Sequence, residues 1–145
     1  MAQPALIECV EYPTHPFSLG RYTILDLLGE GGHARVYRAV LKGPAGFAKP
    51  FALKVMKESS REDRSRQSLI TEARLGVLLR HPNVVDVYEL EEYDNGLIMA
   101  MELIDGISLR ELLVRLGPPT PATVLRIGIQ ICDGLLHAHT LMVNQ

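Results

Sequence analysis

The chain has 145 residues, 47% of them apolar and 22% charged, which is enough for one ordinary domain with its own core. A formal charge of -2 with both signs interspersed provides no basic footprint for DNA or RNA, so nucleic acid is not expected as a partner. Cys9 and Cys132 lie far apart and outside any C-x-x-C spacing, which excludes a disulfide framework or zinc knot and fits a reducing cytoplasm; no run of about 18 apolar residues and no signal-peptide order indicates a membrane or secretion route.

Residues 1–20, with Pro4, Pro13 and Pro16 and no sustained period, read as a leader segment lying over or beside the domain. From Tyr22 the pattern becomes strand-like. Tyr22 to Leu28 and Ala34 to Val40 flank a run of glycines and predict a hairpin with a glycine-rich turn. After a loop at Lys42-Gly43-Pro44-Ala45-Gly46, a third apolar run, Phe51 to Met56, is interrupted by a single lysine, Lys54.

The stretch from Glu62 to Leu79 lacks proline, places Leu69, Ala73, Gly76 and Leu79 at helical spacing, and stops at His81-Pro82-Asn83, predicting one amphipathic helix. Val84 to Leu90 and Leu97 to Leu103 then read as strands joined by the turn Asp94-Asn95-Gly96. Five strands and one helix make a small α+β lobe. Beyond Asp105-Gly106, Ser108-Leu109-Arg110-Glu111 is a capping box for a short helix ending near Gly117. Thr120 and Pro121 open a longer helix with two adjacent apolar stripes, one through Val124, Gly128, Ile131, Leu135 and Ala138, the other through Leu125, Ile129, Cys132 and Leu136. With at least five large side chains worth about 1.5–3 kcal/mol each when buried, this helix is expected to be sticky, loosely ordered or folded back on the lobe unless another polypeptide covers it.

Three features could carry chemistry. Gly29-Glu30-Gly31-Gly32 lies between two strands, where glycines let backbone N–H groups approach phosphate oxygens. A dinucleotide-binding turn requires a helix after the glycines, and here a strand follows. Lys54 in an apolar strand needs an anion or an escape to solvent, because an unpaired buried charge is costly. Glu72, on the apolar stripe of the first helix, needs a cation. An ion pair between the two answers both needs and leaves the ammonium beside any phosphate under the glycine loop. His137-Ala138-His139 is spaced i, i+2, which sends the two rings to different sides of a helix and favours packing over metal binding.

Together, the glycine loop with Ala34 and Val36, Ala52-Leu53-Lys54, Glu72, His81-Pro82-Asn83 and Met99-Ala100-Met101-Glu102 resemble protein kinases, particularly bacterial Ser/Thr kinases, over residues 20 to 141. The resemblance implies a kinase-like N-lobe with hinge at 21–104, a five-stranded antiparallel sheet plus one helix, followed at 105–145 by the first two helices of an incomplete helical C-lobe. It implies ATP as ligand, held by Leu28, Gly29, Glu30, Gly31, Gly32, Val36, Ala52, Lys54, Glu72, Met101, Glu102 and Ile104. In that scheme Lys54 binds the α and β phosphates and Glu72 positions it. Val36 and Ala52 sandwich the adenine, Met101 is the gatekeeper, and the backbones of Glu102 and Ile104 meet the adenine edge.

Two departures stand out. Gly76 occupies a position where kinases place a bulky apolar side chain, so an empty space is expected there. The His-Arg-Asp and Asp-Phe-Gly motifs do not occur, and the resemblance places the catalytic loop shortly after Gln145. Magnesium is therefore expected with the nucleotide but without its protein ligands, and the isolated chain is expected to be inactive. The competing expectation is a catalytically inactive kinase-like interaction or regulatory module.

Overall fold

A computed structural model describes residues 16–58 and 63–143. In chain order these form β1 (Phe17–Leu19), β2 (Tyr22–Glu30), β3 (Ala34–Lys42), β4 (Ala48–Met56), α1 (Asp63–Leu78), β5 (Val87–Tyr93), β6 (Gly96–Met101), α2 (Leu109–Leu116) and α3 (Pro121–Val143). The architecture is the expected α+β one, an antiparallel sheet followed by two helices. A short strand is added at Phe17–Leu19, where the sequence reads as leader, pairing with β2 through Leu19 and Tyr22. The rest of the expected leader, 1–15, lies outside the described residues.

The six strands run in the order β1-β2-β3-β4-β6-β5. The sheet curls, because Tyr22 on β2 donates its hydroxyl to Glu89 on the far strand β5 at 2.6 Å, and Arg21 pairs with Glu89 and Glu91. Burial, followed by the Glu89 contact, pushes the Tyr22 phenol above its ordinary range. Period-2 alternation sorts the β4 side chains onto two faces. Phe51 and Leu53 join Tyr22, Ile24, Tyr37, Ala39, Ile98 and Ala100 inside the curl. Met56, with Met99 and Leu97 of β6, meets Leu69 and Ala73 of α1 on the other face. Phe51 to Met56 read as an apolar run broken only by Lys54 because both faces of β4 are covered.

The strand expected from Val84 begins three residues later, at Val87. Val84 N–H closes a turn onto the His81 carbonyl at 2.9 Å, which delays the strand, and the Asp86 carbonyl accepts the Glu102 N–H at 2.8 Å, one step beyond the Val87–Met101 pair. The β5–β6 hairpin turns at Asp94 and Asn95, whose φ of 49° and 60° match the twist that two-residue hairpins require.

Ser108 caps α2 by accepting Glu111 N–H at 3.1 Å, as the capping box predicts. In α3 the large side chains of both stripes, including Leu125, Ile129, Leu135 and Leu136, are exposed. The helix instead seats on the 81–86 turn through buried Gly134, where an added Cβ would lie 3.3 Å from the Asn83 carbonyl oxygen and from Val84 Cγ2. His137 stacks on His81 with centroids 5.1 Å apart, the packing role its spacing implied. Two apolar stripes advertise burial, but a close approach of backbones needs a residue without a side chain, and Gly134 provides it.

Candidate functional site: a lysine–glutamate pair beside a glycine-rich hairpin

Register places the candidate residues on one sheet face. Gly29 pairs with Val36, Val36 with Lys54, and Ala52 with Met101. Directly paired residues share a face, so Val36, Ala52, Lys54 and Met101 form a patch across β3, β4 and β6. Ala52 is buried, and Val36 and Met101 are half-buried. A register shift between Leu27 and Gly29 makes Leu28 the extra residue of a bulge, which leaves this leucine exposed at the patch margin.

Gly31, Gly32 and His33 connect β2 to β3, and Gly31 N–H bonds the Ala34 carbonyl at 2.9 Å. Added Cβ atoms at Gly29 and Gly32 would meet nothing within 4 Å, and no loop glycine has a positive φ. Neither crowding by the chain itself nor a left-handed backbone therefore calls for glycine here. Glu30, inside the run, turns its carboxylate to Lys57 at 2.5 Å and Arg35 at 3.4 Å. The Lys57 hydrogen bond holds that carboxyl below the ordinary carboxylate range. At the loop tip, His33 Nδ1 lies 3.4 Å from Ser65 Oγ of α1.

Lys54 Nζ donates to Glu72 Oε1 at 2.6 Å and to Oε2 at 2.7 Å, so both carboxylate oxygens share one ammonium. The pair borders a cavity of about 120 Å³ between loop and helix, lined by His33, Ala34, Ser65 and Ser68 among others. Glu72 does not face inward as its place on the stripe implied. Its side chain is 48% exposed and that of Lys54 27%. Leu69 and Ala73 take the buried line of α1, and the longer Glu72 side chain reaches past them to Lys54 on β4.

Gly76 leaves no empty space. A Cβ there would lie 2.4 Å from Val87 Cγ2, so the β5 valine fills the volume. The sequence pattern showed the missing side chain but not the strand residue that replaces it.

After β6, residues 102–105 continue without regular structure. Glu102 N–H is held by Asp86, and Asp86 N–H lies 3.4 Å from Glu102 Oε2, so any backbone contribution of Glu102 to a ligand comes from its carbonyl. Ile104 is 58% exposed. Asp86, Arg35, Lys57 and Ser65 were not singled out by the sequence, because each acquires its role only through strand register or helix placement.

The model of the protein kinase domain matches residues 22–144. The chain belongs to the protein kinase family. It is 33% identical over 121 residues to the serine/threonine-protein kinase PrkC of Bacillus subtilis, covering 83% of this chain and 18% of that protein. Serine/threonine-protein kinase PknH of Mycobacterium tuberculosis is 34% identical over 121 residues, covering 83% of this chain and 19% of that one. Among solved structures, a mutant PknI kinase domain from M. tuberculosis superposes with a TM-score of 0.67 at 28% identity, over 86% of this chain and 50% of that one. The chain thus spans about a fifth of these two curated relatives and half of the solved kinase domain, and corresponds to the N-lobe and the start of the C-lobe.

Proposed function

We propose that this chain is the ATP-binding portion of a serine/threonine protein kinase, with the nucleotide lying along the patch from Leu28 to Ile104. The observation that carries the reading is the two-pronged Lys54–Glu72 contact beside a glycine run that the protein's own packing does not require. A carboxylate holding an ammonium on the face of a sheet keeps that charge oriented, ready for a phosphate oxygen. Backbone N–H groups of Gly29, Glu30, Gly31 and Gly32 would approach the phosphates, which small residues permit. Because Glu30 is engaged by Lys57 and Arg35, its charge is largely neutralised next to that anion. Val36 and Ala52 offer apolar surface to the adenine, Met101 closes its rear, and the Glu102 carbonyl and Ile104 backbone meet its polar edge.

In this reading residues 21–104 form the lobe and hinge, and 105–145 open the second lobe. Magnesium would arrive on the phosphates, where it supplies charge neutralisation; no protein ligand for it is assigned in this chain. Phosphoryl transfer also needs a base to orient the acceptor hydroxyl, worth roughly 10²–10⁴ in rate, and the 145 residues contain no catalytic-loop motif. The isolated chain is therefore expected to bind nucleotide and to transfer no labelled phosphate to itself or to a generic substrate.

A second reading, an inactive module that regulates a partner, is favoured by one observation, the exposed apolar stripes of α3. Thermal-shift titration with ATP and magnesium tests the first reading. A melting temperature that climbs with nucleotide concentration supports it. A flat response, with a monodisperse complex forming through α3, favours the second.

A further inference from the structure

Register orders the proposed site along β4. Ala52 pairs with Met101, Lys54 pairs with Val36, and Met56 pairs with Ala34 at the end of the glycine hairpin. Each two-residue step is about 7 Å, so the hairpin tip stands roughly 7 Å beyond Lys54, on the side away from Ala52. The tip is fixed there, because the His33 carbonyl accepts the Lys57 N–H at 3.0 Å where β4 ends. With its backbone held, His33 reaches across to α1 and places Nδ1 3.4 Å from Ser65 Oγ. That separation is at the long limit of a hydrogen bond, so Ser65 seats the ring without binding it firmly. The same imidazole lines the cavity of about 120 Å³ together with Lys54, Ser65, Ser68 and Glu72.

The charges on the cavity wall are Lys54 from β4 and Glu72 from α1, and these are engaged with each other at 2.6 and 2.7 Å. On the hairpin itself Glu30 is held by Lys57 and Arg35, and Glu58 follows Lys57 in the chain. A phosphate chain would bring an unshared anion into this setting, which favours imidazolium over imidazole. We infer that His33 is a specificity residue of the proposed nucleotide site: its imidazolium donates to the terminal phosphate of a nucleoside triphosphate, so the preference for triphosphate over diphosphate grows as pH falls. This rests on the reading of Lys54 as the contact to the α and β phosphates. A chain that crosses Lys54 from the adenine side runs toward the tip, and its third phosphate is the one that extends to His33. Histidine is the side chain that ordinarily changes charge between about pH 5 and 8. Because the phosphate stabilises the charged ring, the triphosphate complex holds a proton that the free protein releases, and affinity rises on acidification through that window.

The test titrates the full chain, His33→Asn and His33→Lys with magnesium-ATP, magnesium-ADP and adenosine by calorimetry at about pH 6 and about pH 8. In the parent the ratio of ATP to ADP affinity is expected to be roughly five- to tenfold larger at the lower pH. His33→Asn should lose that gain while keeping ADP and adenosine affinities within about twofold of the parent, and it carries whatever pH dependence belongs to the nucleotide's own phosphates. His33→Lys, charged at both pH values, should hold the higher ratio throughout. Titrations in buffers of different ionisation enthalpy should show proton uptake with ATP that ADP and the asparagine variant lack. The same pH dependence in His33→Asn, or an ADP loss equal to the ATP loss, would overturn the inference. If ADP exceeds adenosine but His33→Asn binds ATP like the parent, the role of His33 falls and the Lys54 reading stands. If ADP binds the parent no better than adenosine, the Lys54 reading falls and this role with it.

Discussion

Replacing Lys54 by methionine separates two quantities that a purely structural lysine would keep together. In the folded chain Nζ is shared between the two Glu72 oxygens at 2.6 and 2.7 Å, yet the side chains are 27% and 48% exposed. Solvent therefore screens the pair, and exposed ion pairs contribute only about 0.2–1 kcal/mol to folding. Methionine keeps the aliphatic stem against the sheet, and Glu72 can rotate into water, so no charge is stranded. The melting temperature should fall by no more than roughly 4 °C for a domain of this size. The proposed charge-assisted contact to a phosphate oxygen would be worth more, about 1.5–3 kcal/mol. That corresponds to a loss of roughly 10- to 150-fold in ADP affinity. The assay pairs thermal melts without ligand with calorimetric titrations against magnesium-ADP and adenosine. Equal ADP affinity in the two proteins would refute the assignment, and a loss matched by adenosine would show that the substitution had disturbed the fold rather than a phosphate contact.

Two further outcomes follow from groups outside the pair. Tyr22→Phe removes the 2.6 Å hydrogen bond to Glu89 from a side chain that is 1% exposed; Glu89 keeps Arg21, so urea unfolding should register a loss of about 1.5 kcal/mol and not an unfolded chain. Glu30 is held below the ordinary carboxylate value of 4.5 by Lys57 and then Arg35, so its pairs contribute above that pH and are lost as acid titrates it. Amide resonances of Gly29 to Ala34 should therefore shift together on acidification below about pH 4.5, and Glu30→Gln should abolish that transition. A transition that persists in Glu30→Gln would assign it to another group.

Much of the candidate site was legible before any coordinates, and the reason is chemical. A lysine in an apolar strand and a glutamate on an apolar helical stripe both ask for a partner, so their pairing could be argued from spacing and period, although Glu72 proves half-exposed. The glycine run, the proline stop after α1, the Ser108 cap and the Asp94-Asn95 turn are local signals, decided by backbone sterics and capping hydrogen bonds within a few residues. These suffice for element type and order.

What depended on tertiary structure was every quantity set by the meeting of distant segments. The start of β5 moved to Val87 because pairing with β6 begins there, opposite Met101, and only the placement of β6 decides it. Glu72 stands at the rim and not in the interior because the depth of α1 on the sheet is a packing outcome that helical period does not encode. Period gave α3 two apolar stripes that ask for cover; the helix leaves their large side chains exposed and docks through Gly134 on the 81–86 turn. The volume beside Gly76 followed the same rule. A sequence records that a side chain is missing, but only the approach of another strand decides whether the space is empty, and here Val87 occupies it.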